Sequence, residues 1–277
     1  MSRSKRERWP ALALNLGLAA AALLTAAPLL WMLSVSLMPV GEANSLPPRL
    51  LPSSPTLDHY REIFLHLDMG RYLRNSLLLS SCTTFFCVLL CALAGYAFAK
   101  LRFSGRDRLF GSLLLLLVVP AQVGMLPLFL ILKQLGLINT FAGAMVPGLA
   151  SIASIFLIRQ FALSLPDELL DAARIDGASE GQIFLRIVLP LLLPILVTVG
   201  VLTFLTSWND FLWPLIVLAG ERNYTLPAAL ANLSGEHVQD TELMMAGSVL
   251  TILPGIVLFF ALQRYYVEGV LLGSSKE

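Results

Sequence analysis

The chain has 277 residues, 57% hydrophobic and only 13% charged, with a mean hydropathy of +0.77. Soluble domains carry roughly a quarter charged residues, so this composition excludes a disordered chain, a nucleic-acid binder and an ordinary soluble enzyme. The formal net charge of +1 creates no long-range field of either sign to recruit a partner.

The charges are unevenly placed. Six windows of 21 to 33 residues hold no charged side chain and no histidine: 9–41, 75–99, 109–132, 134–158, 187–209 and 243–263. A helix needs about 20 apolar residues to cross the hydrocarbon core. Lipid offers no water to backbone groups, so an apolar run satisfies them internally, as a helix. The expected fold is an all-α membrane protein. One transmembrane domain spans residues 1–277, with six helices near 12–38, 75–99, 109–132, 138–158, 187–209 and 243–263.

In chain order, the first window follows a basic stretch, Arg3, Lys5, Arg6 and Arg8. A signal peptide has an apolar core of about 7–15 residues; this run is too long and reads as a retained helix. The segment from Met38 to Arg74 begins with Pro39, Pro47, Pro48, Pro52 and Pro55. Leu57 to Phe64 then reads as a short amphipathic helix with Thr56 as a candidate cap. A spacer and a docking surface for an outside partner are both open readings. The second window carries Cys82, Cys87 and Cys91; without polar company they read as apolar filler, and no metal site is expected. A tight turn at Lys133–Asn139, containing Gly136, joins the third and fourth helices.

Orientation follows from Lys and Arg counts on the two sides. With the N-terminus inside, the inner segments hold 13 and the outer segments 6, and six crossings put both termini in the cytoplasm. His59, His66 and His237 then fall in outer segments as scattered, inert loop residues. Prolines interrupt the windows at Pro28, Pro120, Pro127, Pro147, Pro190, Pro194 and Pro254. Proline removes a helical hydrogen bond and kinks the chain. Each taken singly reads as tolerated rather than as a hinge.

The inner segment 164–186 is a helix–turn–helix. Ser164-Leu165-Pro166-Asp167 has capping-box spacing with proline in the first turn, and Glu168 suits the helix N-terminus. The helix is expected to end near Ile175, with Gly177 supplying the left-handed residue. Ser179 and Gln182 begin a second capped helix that enters the membrane at Ile187. Ala172 and Ala173 form a small-residue face that lets another backbone approach closely.

Asp171-Ala172-Ala173-Arg174-Ile175-Asp176-Gly177-Ala178, then Phe184 and Leu189-Pro190, resembles the EAA loop of ABC importer membrane subunits. That loop reads Glu-Ala-Ala, two variable residues, Asp-Gly-Ala, then Phe and Pro at fixed distances. One departure is Asp171, a carboxylate shortened by one methylene. Asn75-Ser76, Trp208-Asn209-Asp210-Phe211-Leu212-Trp213-Pro214, Tyr224-Thr225-Leu226-Pro227 and Arg264-Tyr265-Tyr266-Val267-Glu268-Gly269 are similar to the carbohydrate branch, of the MalG-like type. The resemblance implies a multi-pass permease subunit of the bacterial inner membrane, importing sugars, polyols or glycerol phosphate. It implies a second, different permease, two ATPase subunits and an extracytoplasmic sugar-binding protein as partners. It assigns ATPase coupling to Asp171, Ala172, Ala173, Asp176, Gly177, Ala178, Phe184 and Pro190, with ATP and Mg bound by the partner ATPase and no cofactor in this chain.

The residues agree with that division of labour. Secondary transporters couple through ionisable groups inside the membrane, and the six windows hold none; Asp210 stands at a window edge. A phosphate-binding loop needs Gly-Lys-Ser/Thr, and none of Lys5, Lys100, Lys133 and Lys276 follows a glycine. No buried His, Asp or metal constellation points to a membrane enzyme. Trp208, Asn209 and Asp210 are candidates for the translocation path, since aromatic faces stack on sugar rings and amides and carboxylates bond hydroxyls. An interfacial aromatic belt explains Trp208 and Trp213 equally well. Gln122, Asn139 and Gln160 are weaker path candidates.

Overall fold

The computed structural model describes residues 5–47, 49–236 and 240–274. Arg3, Pro48, His237 and Lys276 lie outside the described residues, as do the side chains of Lys5, Arg6, Arg8 and Arg264–Gly269. The described residues form helices and turns without a strand. In order these are α1 (Lys5–Val35), α2 (Asp58–Leu65), α3 (Met69–Lys100), α4 (Arg106–Leu116), α5 (Met125–Gln134), α6 (Phe141–Met145) and α7 (Ile152–Leu163). They continue with α8 (Asp167–Ile175), α9 (Glu180–Ile183), α10 (Leu189–Leu191), α11 (Leu193–Asn209), α12 (Leu212–Val217), α13 (Leu226–Glu236) and α14 (Thr241–Ser274).

Three stretches are long and apolar enough to span a membrane alone: Leu14–Val35, Met69–Lys100 and Thr241–Leu258. The other three windows are not the continuous helices expected. Each is a bent pair: Arg106–Leu116 with Ala121–Gln134 (96°), Phe141–Gly148 with Ile152–Leu163 (49°), and Glu180–Leu191 with Leu193–Asn209 (76°). Counting each pair as one span brings the total to six. A proline sits in or beside every bend: Pro120, Pro147, and Pro190 with Pro194. Each lacks an N–H for the helical ladder. Local chemistry recovers the freed backbone groups. After α4, tight turns run from Leu117 N–H to Leu114 C=O and from Val118 N–H to Leu115 C=O. Thr140 caps α6 by accepting from Gly143 N–H at 3.1 Å, and Ser151 caps α7 by accepting from Ser154 N–H at 3.2 Å. The helix α14 runs through Pro254 unbroken.

The chain groups into two compact units. The first comprises Met1–Met69 and Asn232–Leu253. Here the Pro-rich segment is stapled down. Ser34 Oγ donates to Leu50 C=O at 2.6 Å, Thr56 N–H to Leu37 C=O at 2.9 Å, and Ser36 Oγ meets Tyr60 OH at 2.8 Å. Glu42 accepts from Ser53 N–H and from Arg49 Nη1. His59 is buried, with Nε2 2.8 Å from Met38 C=O, so this histidine is an anchor for the loop. The side chain of Glu242 is fully buried, and its Oε1 accepts from Ala43 N–H at 2.8 Å. Thr56 does not cap α2. Leu57 takes the cap position without a side-chain bond, and Thr56 Oγ1 bonds Asp58 instead.

The second unit comprises Gly70–Ala231 and Pro254–Glu277. Its core joins α3, α7, α8, α9 and α11 through Cys87, Cys91, Ile158, Leu170, Ile183 and Val199. Cys87 and Cys91 are thus packing residues, with their sulfurs 3.7 Å apart as free thiols. The approach of α3 to α7 is close: a Cβ on Gly95 would stand 2.6 Å from Ile158 Cγ2 and 3.1 Å from Arg159 N. Arg159 lies over the Phe110 ring, 4.2 Å from its centroid, and donates through Nε to Phe98 C=O. Two sequence motifs some 150 residues apart meet here. Asn75 Nδ2 donates to Arg222 and Tyr224 C=O, and Ser76 Oγ accepts from Leu226 N–H at 2.7 Å.

Candidate functional site

The segment 164–186 forms the helix–turn–helix its sequence predicts. The helix α8 covers Asp167–Ile175, and the chain reverses at Gly177, whose φ is +83°. The start differs from expectation. Ser164 does not cap α8; its hydroxyl turns back to Phe161 C=O at 2.7 Å, and Pro166 takes the cap position with no side-chain bond. Lys100 holds the entry instead. Its Nζ donates to Leu165 C=O at 2.7 Å and to Asp167 Oδ1 at 2.6 Å. The Lys100 hydrogen bond and charge hold the Asp167 carboxyl below its ordinary pKa. The second helix has a full capping box: Ser179 accepts from Gln182 N–H, and the Gln182 side chain accepts from Ser179 N–H.

Arg174 is the central tie of the loop, and sequence reasoning did not single it out. Its Nε donates to Glu180 Oε1 at 2.8 Å and its Nη1 to Asp171 Oδ1 at 2.7 Å. These two carboxylates, Glu180 first, raise the Arg174 pKa further. Glu180 also accepts from Tyr96 OH at 3.0 Å. One guanidinium therefore ties α8 to the start of α9, and Glu180 ties both to α3. The spacing Asp171–Arg174 is the favourable i,i+3 pairing on a helix; the Glu180 contact arises only when the turn closes.

Leu170, Ile183 and Phe184 pin the loop from within, and the Phe184 ring lies 5.4 Å from that of Tyr96. What α8 leaves outward is specific. Ala172, Asp171, Asp176 and Gly177 are exposed, Leu169 is 44% exposed and Ile175 87%. Ala173 and Ala178 are half-buried against the core. Of the eight residues assigned to coupling, the structure thus presents Asp171, Ala172, Asp176 and Gly177 on one exposed surface. It buries Phe184 and sets Pro190 at the bend before α11. Asp171 already has Arg174 as its partner, whereas Asp176 makes no ion pair among the described residues.

The three path candidates part company. Trp208 is buried and stacks on Phe204, with centroids 5.9 Å apart and planes at 11°. Asn209 is exposed, and its Nδ2 donates to Leu205 C=O. Asp210 lines a half-open cleft of ≈ 570 Å³ within the second unit, and neither Trp208 nor Asn209 lines that cleft. Around it stand the hydroxyls of Thr83, Ser151, Ser154, Thr203 and Thr206 and the ring of Trp213. One carboxylate oxygen of Asp210 accepts from Trp213 N–H at 3.3 Å, and Trp213 Nε1 donates to Gly143 C=O. Residues 203, 206 and 210 recur at helical spacing, a signal that was available in the sequence. Thr83 and Ser154 join them only through folding. Gln122, Asn139 and Gln160 do not line the cleft. Asn139 holds a turn instead, accepting from Gly220 N–H at 3.0 Å.

Comparison with known proteins gives one consistent result. The sequence profile described as "Binding-protein-dependent transport system inner membrane component" matches residues 88–271. The chain is similar to the arabinooligosaccharides transport system permease protein AraQ of Halalkalibacterium halodurans, at 38% identity over 98% of this chain and 99% of that protein. It is 33% identical to the lactose transport system permease protein LacG of Rhizobium radiobacter, over the full length of both. Its fold matches a chain of a bacterial ABC transporter that imports the acidic polysaccharide alginate. There the TM-score is 0.79 and the identity 24%, covering 96% of this chain and 99% of the other.

Proposed function

Because the chain belongs to the family of binding-protein-dependent transport system inner membrane components, we propose that it imports a sugar or related polar solute, driven by a separate ATPase that grips loop 164–186. The family is that of the membrane permeases of ABC importers, so the chain is a multi-pass transport subunit of the bacterial plasma membrane, not an enzyme, and works with other subunits. The proposed assembly adds a second permease, two ATPases that bind ATP and Mg, and an extracytoplasmic solute-binding protein. Its orientation has both termini in the cytoplasm, which puts loop 164–186 on the side where ATP is found.

The observation that carries the coupling reading is the exposure of apolar groups on a braced helix. Ile175 is 87% exposed and Leu169 44%, at the tip of a loop tied by Lys100, Arg174 and Tyr96. A solvated connector has no need of outward Leu and Ile on a rigid frame, whereas a helix seated in a protein groove does. Bracing matters because a lever transmits force only if it does not yield. Closure of the two ATPases moves α8, and the ties carry that motion to α3 and α11.

The test is Ile175→Glu in the assembled importer. The variant is expected to reach the membrane in normal amount and to lose ATP-driven uptake, with weakened retention of the ATPase on purification. Desolvating a charge in the middle of such a groove costs several kcal/mol, on the order of a hundredfold or more in affinity. Full retention and normal uptake would remove the coupling assignment.

A further inference from the structure

The cleft beside Asp210 has a chemistry that neither the family nor its relatives' names assign to this chain. Two observations define it. Its lining is hydroxyl-rich and apolar, and among its described lining residues Asp210 is the only charged one. Thr83, moreover, is only 3% exposed, and its Oγ1 has no hydrogen-bond partner among the described residues although the residue lines the cleft. A buried hydroxyl without a partner is costly, and here it borders a space large enough for a small carbohydrate.

We infer that this cleft is a solute site of the chain itself, for neutral polyhydroxylated molecules, with Asp210 as the residue that rejects anions; this rests on the importer reading above. The polar groups match that ligand class. Threonine and serine hydroxyls both donate and accept, as sugar hydroxyls do. Asp210 accepts from a sugar hydroxyl, and Ala150, Ala153, Leu157 and Leu202 give the lining apolar surface for the carbon faces of a ring. Among the described residues, no lysine or arginine lines the cleft to balance a phosphate or carboxylate. In a partly desolvated space a fixed carboxylate repels an anion far more strongly than it does in water. Phosphorylated and acidic sugars are therefore excluded, in contrast to the acidic polysaccharide carried by the transporter whose fold this chain shares.

The experiment reads the cleft directly, without requiring coupling. Thr206→Cys is made in the membrane-embedded importer, and modification at position 206 is followed by peptide mass spectrometry, so the native cysteines need no change. Cationic and anionic methanethiosulfonates of equal size are the charge probes. Measured against the same ratio on a free thiol in solution, the cationic reagent is expected to gain at least about a further tenfold, the size of effect one nearby charge produces at intermediate dielectric. Adding Asp210→Asn should collapse that further factor towards one. Lactose, trehalose and arabinotriose are then tested as protecting solutes against digalacturonate. At least one neutral sugar is expected to slow modification about threefold or more at saturation, and digalacturonate is not. A reagent ratio unchanged by Asp210→Asn, protection by none of the neutral sugars, or equal protection by digalacturonate would each overturn the inference. Thr203→Cys, one turn away on the same helix, serves as the second reporter if Thr206→Cys does not assemble. Loss of ATPase retention in the Ile175→Glu variant belongs to the coupling reading alone and does not alter these rates.

Discussion

Gly177 shows how far a single residue is legible in sequence. A glycine after a helix invites a left-handed reversal, and the observed φ of +83° agrees. A Cβ built there meets nothing within 4 Å, so substitution acts through backbone strain of roughly 1–2 kcal/mol and through what it presents outward. Gly177→Asp is expected to leave the chain inserted and folded but to abolish ATP-driven uptake, because it adds a carboxylate next to Asp176 on the exposed surface proposed to seat in the ATPase. Uptake by everted and right-side-out vesicles checks this, and normal transport would sink the assignment. Gly177→Asn, which tolerates the same backbone without the charge, should retain more activity. Arg174 shows the opposite case. Its Asp171 pairing follows from i,i+3 spacing, but its Glu180 contact depends on the turn bringing α9 back, and no local pattern encodes that.

At the scale of the element, the apolar windows coincide with three long helices and three bent pairs, and composition alone could not say which would be straight. Windows 109–132, 138–158 and 187–209 all break beside a proline; tight turns follow α4 and Ser151 caps α7, whereas the break at Leu192 has no side-chain cap. Pro254 in α14 has no such break. The same residue type therefore gives two outcomes, and the surrounding partners decide between them. Packing between elements is close where α3 crosses α7. There Gly95→Ala forces a methyl against Ile158 Cγ2 and the Arg159 backbone. Such overpacking costs about 1–3 kcal/mol, measurable as a lowered unfolding midpoint of the detergent-purified protein. The double variant with Ile158→Ala should recover part of that loss and no more, since the Arg159 backbone remains in the way.

For the whole molecule, the excess of Lys and Arg on alternate segments sets a testable topology. On the proposed topology of six crossings with both termini inside, a fluorescent protein fused after the C-terminus should be bright and a periplasmic phosphatase fusion at the same place inactive. The reverse pattern would invert the side on which loop 164–186 stands and with it the route to the ATPase. Two regions far apart in sequence also define the second unit together. Asn75 and Ser76 hold the Arg222–Leu226 segment by three hydrogen bonds, a link between two short motifs that is not visible in the sequence.

The sequence by itself determined the solvent, the class of secondary structure and the helix–turn–helix of loop 164–186. These depend on local quantities: charge along the chain, hydrophobic length, and cap and turn residues within a few positions. The tertiary structure alone decided which faces meet. It separated Trp208 and Asn209 from Asp210, drew Thr83 and Ser154 to the cleft that Asp210 lines, buried Phe184, and made Arg174 the tie between two helices. In an apolar chain the side chains that line a cleft and those that face lipid have nearly the same composition. Only the packing of one helix against another tells them apart.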